Sequence, residues 1–121
     1  DLAGDTPSFL NAQDTVTRDK LRWYMNSYLK SDANIEDPLA SPLRAKSFEG
    51  LPRTVMITGS DEPSIDEIEQ YVDKLREAGV EIEYHRLEGW PHGFAFWPET
   101  EAYGTMMNIV TGAVRAAMGE R

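Results

Sequence analysis

The sequence predicts an α/β fold in which parallel strands are flanked by helices. Residues at about 54–59 form a short apolar run, those at about 64–78 repeat apolar residues with helical spacing, and those at about 81–87 alternate as a strand does. A strand, a helix and a second strand within about 35 residues make a βαβ unit, whose two strands are parallel. Patterns at about 15–29 and 101–118 predict two further flanking helices.

The composition is that of one modest globular domain, and it excludes one class of partner. The 121 residues are 40% hydrophobic, which is enough to bury a core. With 21 acidic and 12 basic residues, the chain has a formal charge of -9, which repels phosphate backbones and anionic lipid surfaces. We therefore expect no nucleic-acid partner.

The sequence also bears on the compartment of the protein. It has no cysteine and so offers no disulfide or thiolate ligand, which is compatible with a reducing compartment. No apolar run approaches the roughly 20 residues that span a bilayer, and the N-terminus lacks the basic and apolar regions of a signal peptide. We expect a cytoplasmic protein without a membrane span. Because the chain begins with Asp1 rather than methionine, we expect that it was processed or is part of something longer.

The N-terminal third is predicted to hold one loop and one helix. Residues 1–14 show no periodicity and are predicted as a loop. The helix at about 15–29 has one apolar face, and Trp23 lies beside that face. Trp23 could cover a pocket, but an aromatic residue at helical spacing more often packs in a core. The residues of the apolar face are Leu21, Tyr24, Met25, Tyr28 and Leu29.

The predicted βαβ unit follows in the middle of the chain. Its first strand ends at Gly59, and the β-branched residues of this strand favour burial on both faces. The next helix is predicted to begin with a capping box of Ser64 and Glu67 and to end at Gly79. The apolar stripe of this helix is Ile65, Ile68, Val72 and Leu75, and that of the last helix is Met106, Val110, Ala113, Val114 and Ala117.

Both candidate functional groups follow the two predicted strands. His92 lies in a loop that glycine and proline make stiff and tightly bent, and imidazole is suited to proton transfer near neutral pH. Asp61 and Glu62 follow the first strand, so one of them should face His92 at the same edge of the sheet. A carboxylate bound to the imidazole Nδ1–H is two thirds of a hydrolytic triad. A solvated histidine and carboxylates that stabilise a helix start explain the same residues without catalysis.

A set of short motifs adds to this pattern. They are Leu21-Arg22-Trp23-Tyr24, Tyr28-Leu29, Ser41-Pro42-Leu43, Leu51-Pro52, Glu62-Pro63-Ser64-Ile65-Asp66-Glu67, Tyr71, Leu75, Ala78-Gly79-Val80 and His92-Gly93-Phe94. In this order they resemble the C-terminal portion of the hormone-sensitive-lipase-like (group IV) α/β-hydrolases, a family of carboxylesterases and lipases. The resemblance implies that residues 1–121 are the C-terminal fragment of a single α/β-hydrolase domain.

The resemblance also implies roles for individual residues. His92 would be the general base and acid. The family's catalytic acid stands four positions before the aspartate of an Asp-Glu pair, which leads from Asp66 back to Glu62. Many members have aspartate at that position, and triad chemistry tolerates glutamate. The adjacent Asp61 remains a rival, while Asp66 and Glu67 are expected to stabilise the helix start or to tie the loop.

One part of the family pattern is absent. The Gly-x-Ser-x-Gly elbow and the His-Gly-Gly motif of the oxyanion hole occur nowhere in the sequence. The resemblance therefore implies that the nucleophilic serine lies on a missing N-terminal part or a second chain, and that this chain alone is inactive. The substrate would be a small carboxylic ester, with no cofactor and no metal. Family members often form homodimers through the last helix and the second strand.

Two other interpretations remain. The same fold also serves non-catalytic ligand-binding or interaction proteins, although retention of both an acid and His92 argues against that role. An acidic signalling receiver would use Asp61 at its strand end, but its other acidic and lysine positions are not in order.

Overall fold

The computed structural model describes residues 6–12, 16–29 and 34–119. Within these ranges the chain forms four α-helices and two strands, with one-turn 3₁₀ helices at Pro42–Arg44 and Phe94–Phe96. The elements in chain order are α1 (Pro7–Leu10), α2 (Arg18–Tyr28), β1 (Thr54–Asp61), α3 (Ile65–Glu77), β2 (Ile82–Pro91) and α4 (Glu101–Ala117).

The predicted βαβ unit is confirmed. Strands β1 and β2 are parallel neighbours, with a register that runs from Thr54 opposite Ile82 to Gly59 opposite Leu87. Helix α3 connects the strands and packs against both, and α4 contacts β1 and the turn at Phe94–Phe96. The fold is thus the predicted α/β arrangement of parallel strands with flanking helices.

Strand β2 is longer than the sequence predicts. It continues past Leu87 to Pro91 and breaks register on the way, because the next pair after Gly59 and Leu87 is Asp61 and Pro91. Two residue steps in β1 therefore face four steps in β2, which makes a bulge in β2. The bulge contains Gly89, whose φ of 75° suits glycine. Glycine and proline in this stretch predicted a loop, whereas they serve a bulge and a strand end.

The predicted capping box at the start of α3 is wrong. The Ser64 side chain caps no amide of the helix, and its hydroxyl instead donates to Glu62 Oε1 at 2.9 Å. Glu67 is instead buried, with 5% of its surface exposed. The cap comes from distant Ser8, whose Oγ accepts the Asp66 N–H at 3.3 Å while its own N–H donates to Asp66 Oδ2 at 2.8 Å. Asp66 thereby ties the start of α3 to helix α1.

The N-terminal third also differs from its prediction, because one of its segments packs against α3. Residues 7–10, predicted as a loop, form helix α1, which brings Ser8 to α3 and buries Phe9. Residues 1–5 and 13–14 of the predicted loop lie outside the described residues, as does Thr15 at the predicted start of the next helix. Helix α2 begins after Thr17, whose hydroxyl accepts the Lys20 N–H.

The core of the described residues is small. Phe48, Leu75 and Val80 form one buried cluster, to which α3 contributes Leu75 of the predicted stripe. Placing Trp23 in a core was wrong, since its side chain is 64% exposed and α2 buries none of its residues. Burial of β1 on both faces is also only partial, because its apolar residues before Thr58 are half-buried. Among the described residues, no helix is long and apolar enough to cross a membrane.

These exposures predict the behaviour of the isolated chain. In the described residues each strand pairs on one edge only, and exposed strand edges and apolar helix faces promote association. We expect purified residues 1–121 to associate, or to unfold without a cooperative transition, in light scattering coupled to size exclusion and in thermal circular dichroism. A monomer with one sharp unfolding transition would contradict this expectation.

Candidate active site

The register of the sheet brings Glu62 and His92 together. Asp61 and Pro91 are the last paired residues of the two strands, and Glu62 and His92 follow them directly. Nδ1 of His92 lies 2.7 Å from Oε2 of Glu62. The acid and the histidine that the sequence singled out are thus hydrogen-bonded at the carboxyl edge of the sheet, where α/β folds place functional groups.

The second oxygen of Glu62 is held from the opposite side. Oε1 accepts the Ser64 hydroxyl at 2.9 Å and the Ser64 backbone N–H at 3.4 Å. The Glu62 side chain is 14% exposed, whereas that of His92 is 51% exposed. A shielded carboxylate fixed through one oxygen presents the other to the imidazole in one orientation.

This contact defines the chemistry available to the imidazole. An ionised carboxylate only accepts hydrogen bonds, so the neutral ring carries its proton on Nδ1 and donates it to Glu62. Nε2 is then the basic nitrogen, and half of the side chain is open to solvent. The pair can therefore take a proton from a neighbouring hydroxyl and return it.

The loop that carries His92 is anchored directly behind it. Gly93 has a φ of 85°, a left-handed conformation that favours glycine. Phe94 is buried and begins a one-turn 3₁₀ helix, while Phe96 of the same turn is exposed. Phe94 therefore packs into the fold directly behind the histidine loop.

The rival acid, Asp61, has a different partner. Its Oδ1 accepts the Ser60 hydroxyl at 2.8 Å, and its side chain is exposed. Of the two adjacent carboxylates, Glu62 is the one that the structure brings to His92. The other two acidic residues near the start of α3 have different environments. Asp66 is bound to Ser8, and Glu67 is buried.

Sequence reasoning missed the contribution of two small residues at the end of β1. One of them is Ser60, whose Oγ accepts the Gly89 N–H at 2.8 Å. At Gly59 any Cβ would collide with the backbone carbonyl of Trp90, so the strands approach closely only because this residue is glycine. The signal in the sequence was a Gly-Ser pair at a strand end, facing a strand that ends in glycine and proline.

The other histidine is remote from this site. His85 Nε2 lies 2.8 Å from Glu83 Oε1, and Arg53 donates to the other oxygen of Glu83 at 2.9 Å. On the same strand, burial and the neighbouring Glu69 carboxylate raise the pKa of Tyr84 above its usual range. Among the described residues, no group of three or more histidine, aspartate or glutamate side chains could hold a metal ion.

Comparisons with known proteins agree on one family. The family model described as the alpha/beta hydrolase fold matches residues 2–96. The chain is 32% identical over 80 residues to an arylesterase of Saccharolobus solfataricus, covering 66% of this chain and 26% of the relative. It is 38% identical over 81 residues to the carboxylic ester hydrolase LipN of Mycobacterium tuberculosis, covering 65% and 21%.

A receptor and solved esterase structures are also similar. The chain is 30% identical over 98 residues to the gibberellin receptor GID1C of Arabidopsis thaliana, covering 78% of this chain and 28% of the receptor. The thermostable carboxylesterase EstE1 from a metagenomic library superimposes with a TM-score of 0.84 at 29% identity, covering 92% and 39%. An esterase of Pyrobaculum calidifontis gives 0.80 at 27% identity, covering 87% and 34%. The chain thus spans about a quarter of the length of these curated relatives.

The close approach at Gly59 generates a prediction. In the protein that contains residues 1–121, Gly59→Ala should lower the free energy of unfolding by about 1–3 kcal/mol, because the added methyl pushes Trp90 and the bulge away from β1. Denaturant unfolding measures the change. The matched control is Gly104→Ala on α4, where a Cβ meets no atom within 4 Å and alanine favours the helix. Equal stabilities of the two variants would contradict the assigned contact.

Proposed function

The chain belongs to the carboxylesterase-type α/β-hydrolase family, and from this premise we propose that it supplies the acid and the histidine of a serine carboxylesterase. Glu62 is the acid and His92 the general base and acid of a Ser-Glu-His triad. The observation that carries the proposal is the 2.7 Å contact between His92 Nδ1 and Glu62 Oε2 at the end of two paired strands.

In this mechanism His92 takes up and releases one proton in each of two steps. Its Nε2 takes the proton of the serine hydroxyl as the serine oxygen attacks the ester carbonyl, and then gives that proton to the departing alcohol. In the second step Nε2 takes a proton from a water molecule as the water oxygen attacks the acyl carbonyl, and it gives that proton to the serine oxygen as the serine ester bond breaks and the acid leaves. Glu62 keeps the ring in the productive tautomer and stabilises the imidazolium that forms in each step.

The nucleophile and the oxyanion hole come from outside residues 1–121 in this proposal. The sequence contains neither a Gly-x-Ser-x-Gly elbow nor a His-Gly-Gly motif. The share of the similar proteins that the chain covers, 21% to 39% in the examples above, supports its being one part of a larger hydrolase domain. The serine then lies on an N-terminal part or on a second chain, and residues 1–121 alone are inactive.

The substrate class follows from the relatives rather than from the site. Two of them are named for ester hydrolysis, one as an arylesterase and one as a carboxylic ester hydrolase. We therefore assign a small carboxylic ester as the substrate of the complete protein.

A ligand-binding protein on the same fold is the second candidate. The observation that favours it is the 30% identity to a gibberellin receptor over 98 residues. A binding protein has no need of a histidine whose Nδ1 is held by a shielded carboxylate, so this candidate leaves the 2.7 Å contact unexplained.

The direct test identifies what accompanies the chain and whether it hydrolyses esters. Intact mass and N-terminal sequencing should reveal a longer chain or a second polypeptide that carries Gly-x-Ser-x-Gly. That preparation should hydrolyse short-chain nitrophenyl esters, and a fluorophosphonate should label a serine outside residues 1–121.

Two controls make the assay specific to the proposed site. Residues 1–121 alone should be inactive, and His92→Ala in the complete protein should reduce kcat by at least about a thousandfold, because the base is lost. Hydrolysis by residues 1–121 alone, or a complete protein without a serine elbow, would overturn the proposal.

The two adjacent carboxylates can be distinguished by matched amide substitutions. Glu62→Gln should lower kcat by about 10³–10⁴-fold, since an amide can hold the wrong tautomer and cannot stabilise the imidazolium. Asp61→Asn keeps an oxygen that accepts the Ser60 hydroxyl and should lower kcat less than about tenfold. Steady-state kinetics of both variants in the complete protein gives the comparison. The reverse order of losses would assign the triad acid to Asp61.

A further inference from the structure

The bulge in β2 leaves a backbone amide that needs an acceptor. Between the pairs of Gly59 with Leu87 and Asp61 with Pro91, the regular ladder is interrupted. Ser60 is the β1 residue at this interruption, and its Oγ accepts the Gly89 N–H at 2.8 Å. A side-chain hydroxyl thus takes the place that a backbone carbonyl has in a regular strand pair.

The direction of this hydroxyl is fixed by its neighbour. Ser60 Oγ lies 2.8 Å from Asp61 Oδ1, and an ionised carboxylate accepts but does not donate. The hydroxyl proton therefore points to Asp61, and a lone pair of Oγ is left for Gly89. Hydrogen bonds linked in this way strengthen one another.

Two contacts from β1 together define the path of the bulge. Gly59 permits the close approach of the Trp90 carbonyl, while Ser60 binds the amide of Gly89, which has a left-handed backbone. Both contacts lie within three residues of His92. A shift of this segment moves the imidazole relative to Glu62, whose own carboxylate is held separately by Ser64.

We propose that Ser60, oriented by Asp61, is a positioning residue that sets the distance between His92 and Glu62. It acts through the bulge of β2 and does not touch the reacting atoms. This role rests on the proposed catalytic function of the Glu62 and His92 pair, and it gives Asp61 a task other than that of triad acid.

A substrate contact is the competing role for this serine. Ser60, Asp61 and Glu62 line a surface depression of about 240 Å³ together with residues that include Ser8 and Ile65. A substrate contact raises KM when it is removed, whereas a mispositioned base lowers kcat. The two roles are therefore separable by kinetics.

The kinetic test compares two substitutions of Ser60 in the complete protein, to valine and to threonine, which have the same shape as each other. Ser60→Val removes the hydroxyl and should lower kcat about tenfold with KM changed less than twofold, since a small misplacement of a catalytic group is enough for such a loss. Ser60→Thr keeps the hydroxyl and should stay within about threefold of the parent protein. Ser47→Ala is the matched control, because Ser47 Oγ also accepts a backbone N–H, that of Glu49 at 3.1 Å, but outside the site.

A second measurement tests the same contact without an activity assay. In Ser60→Val the Gly89 amide should exchange with solvent at least about tenfold faster than in Ser60→Thr, and the downfield proton signal of the His92 Nδ1–H should broaden. Both readouts remain interpretable if the complete protein proves to hydrolyse no ester, so failure of the proposed function is distinguishable from failure of the positioning role.

Three results would overturn the positioning role. The first is unchanged kcat in Ser60→Val while the parent protein hydrolyses esters. The second is a raised KM with unchanged kcat, which assigns a substrate contact. The third is equal Gly89 exchange in the valine and threonine variants. Tenfold lower kcat in the valine variant, with recovery in the threonine variant and faster Gly89 exchange, establishes the role.

Discussion

The interrupted register between β1 and β2 is the constraint on which the rest of this structure depends. Gly59 pairs with Leu87 and Asp61 with Pro91, so the two strands run out of pairing at the same point. Glu62 and His92 are the next residues, and their 2.7 Å contact follows from that common end. Because the closest approach is to the Trp90 carbonyl, the arrangement requires a glycine at the end of β1. The backbone pairing of the two strands therefore determines which side chains meet at this site.

Three carboxylates near this common end each bind a different side chain or loop. Asp61 holds Ser60, Glu62 holds His92 and Asp66 holds Ser8. The Glu62 contact joins the end of β1 to the histidine loop and the Asp66 contact joins α3 to α1, whereas the Asp61 contact orients a neighbouring side chain within β1. This division of partners matters in a chain with a formal charge of -9, where adjacent unpartnered carboxylates repel each other. The acid of the proposed triad is thus embedded in contacts that also hold the fold.

The sequence predicted the features that depend on local pattern. The βαβ unit, the stop of α3 near Gly79 and the facing of a carboxylate and His92 follow from periodicity, glycine and the geometry of parallel strands. The missed features depend on distant partners. The cap of α3 comes from Ser8, 58 residues before Asp66, and the strand character of β2 beyond Leu87 depends on contacts with Gly59 and Ser60. The exposure of Trp23 was missed because a helical stripe shows which residues share a face, and not whether the described chain covers it.

The proposed triad requires that Nε2 of His92, the ring nitrogen not bound to Glu62, faces a nucleophilic serine supplied from outside residues 1–121. A crystal structure of the complete protein gives the distance from His92 Nε2 to the nearest serine Oγ. We predict a serine in a Gly-x-Ser-x-Gly elbow within about 3.2 Å of Nε2, with Glu62 still bound to Nδ1. A structure in which no serine lies within hydrogen-bonding reach of Nε2, or in which His92 turns away from Glu62, would contradict it.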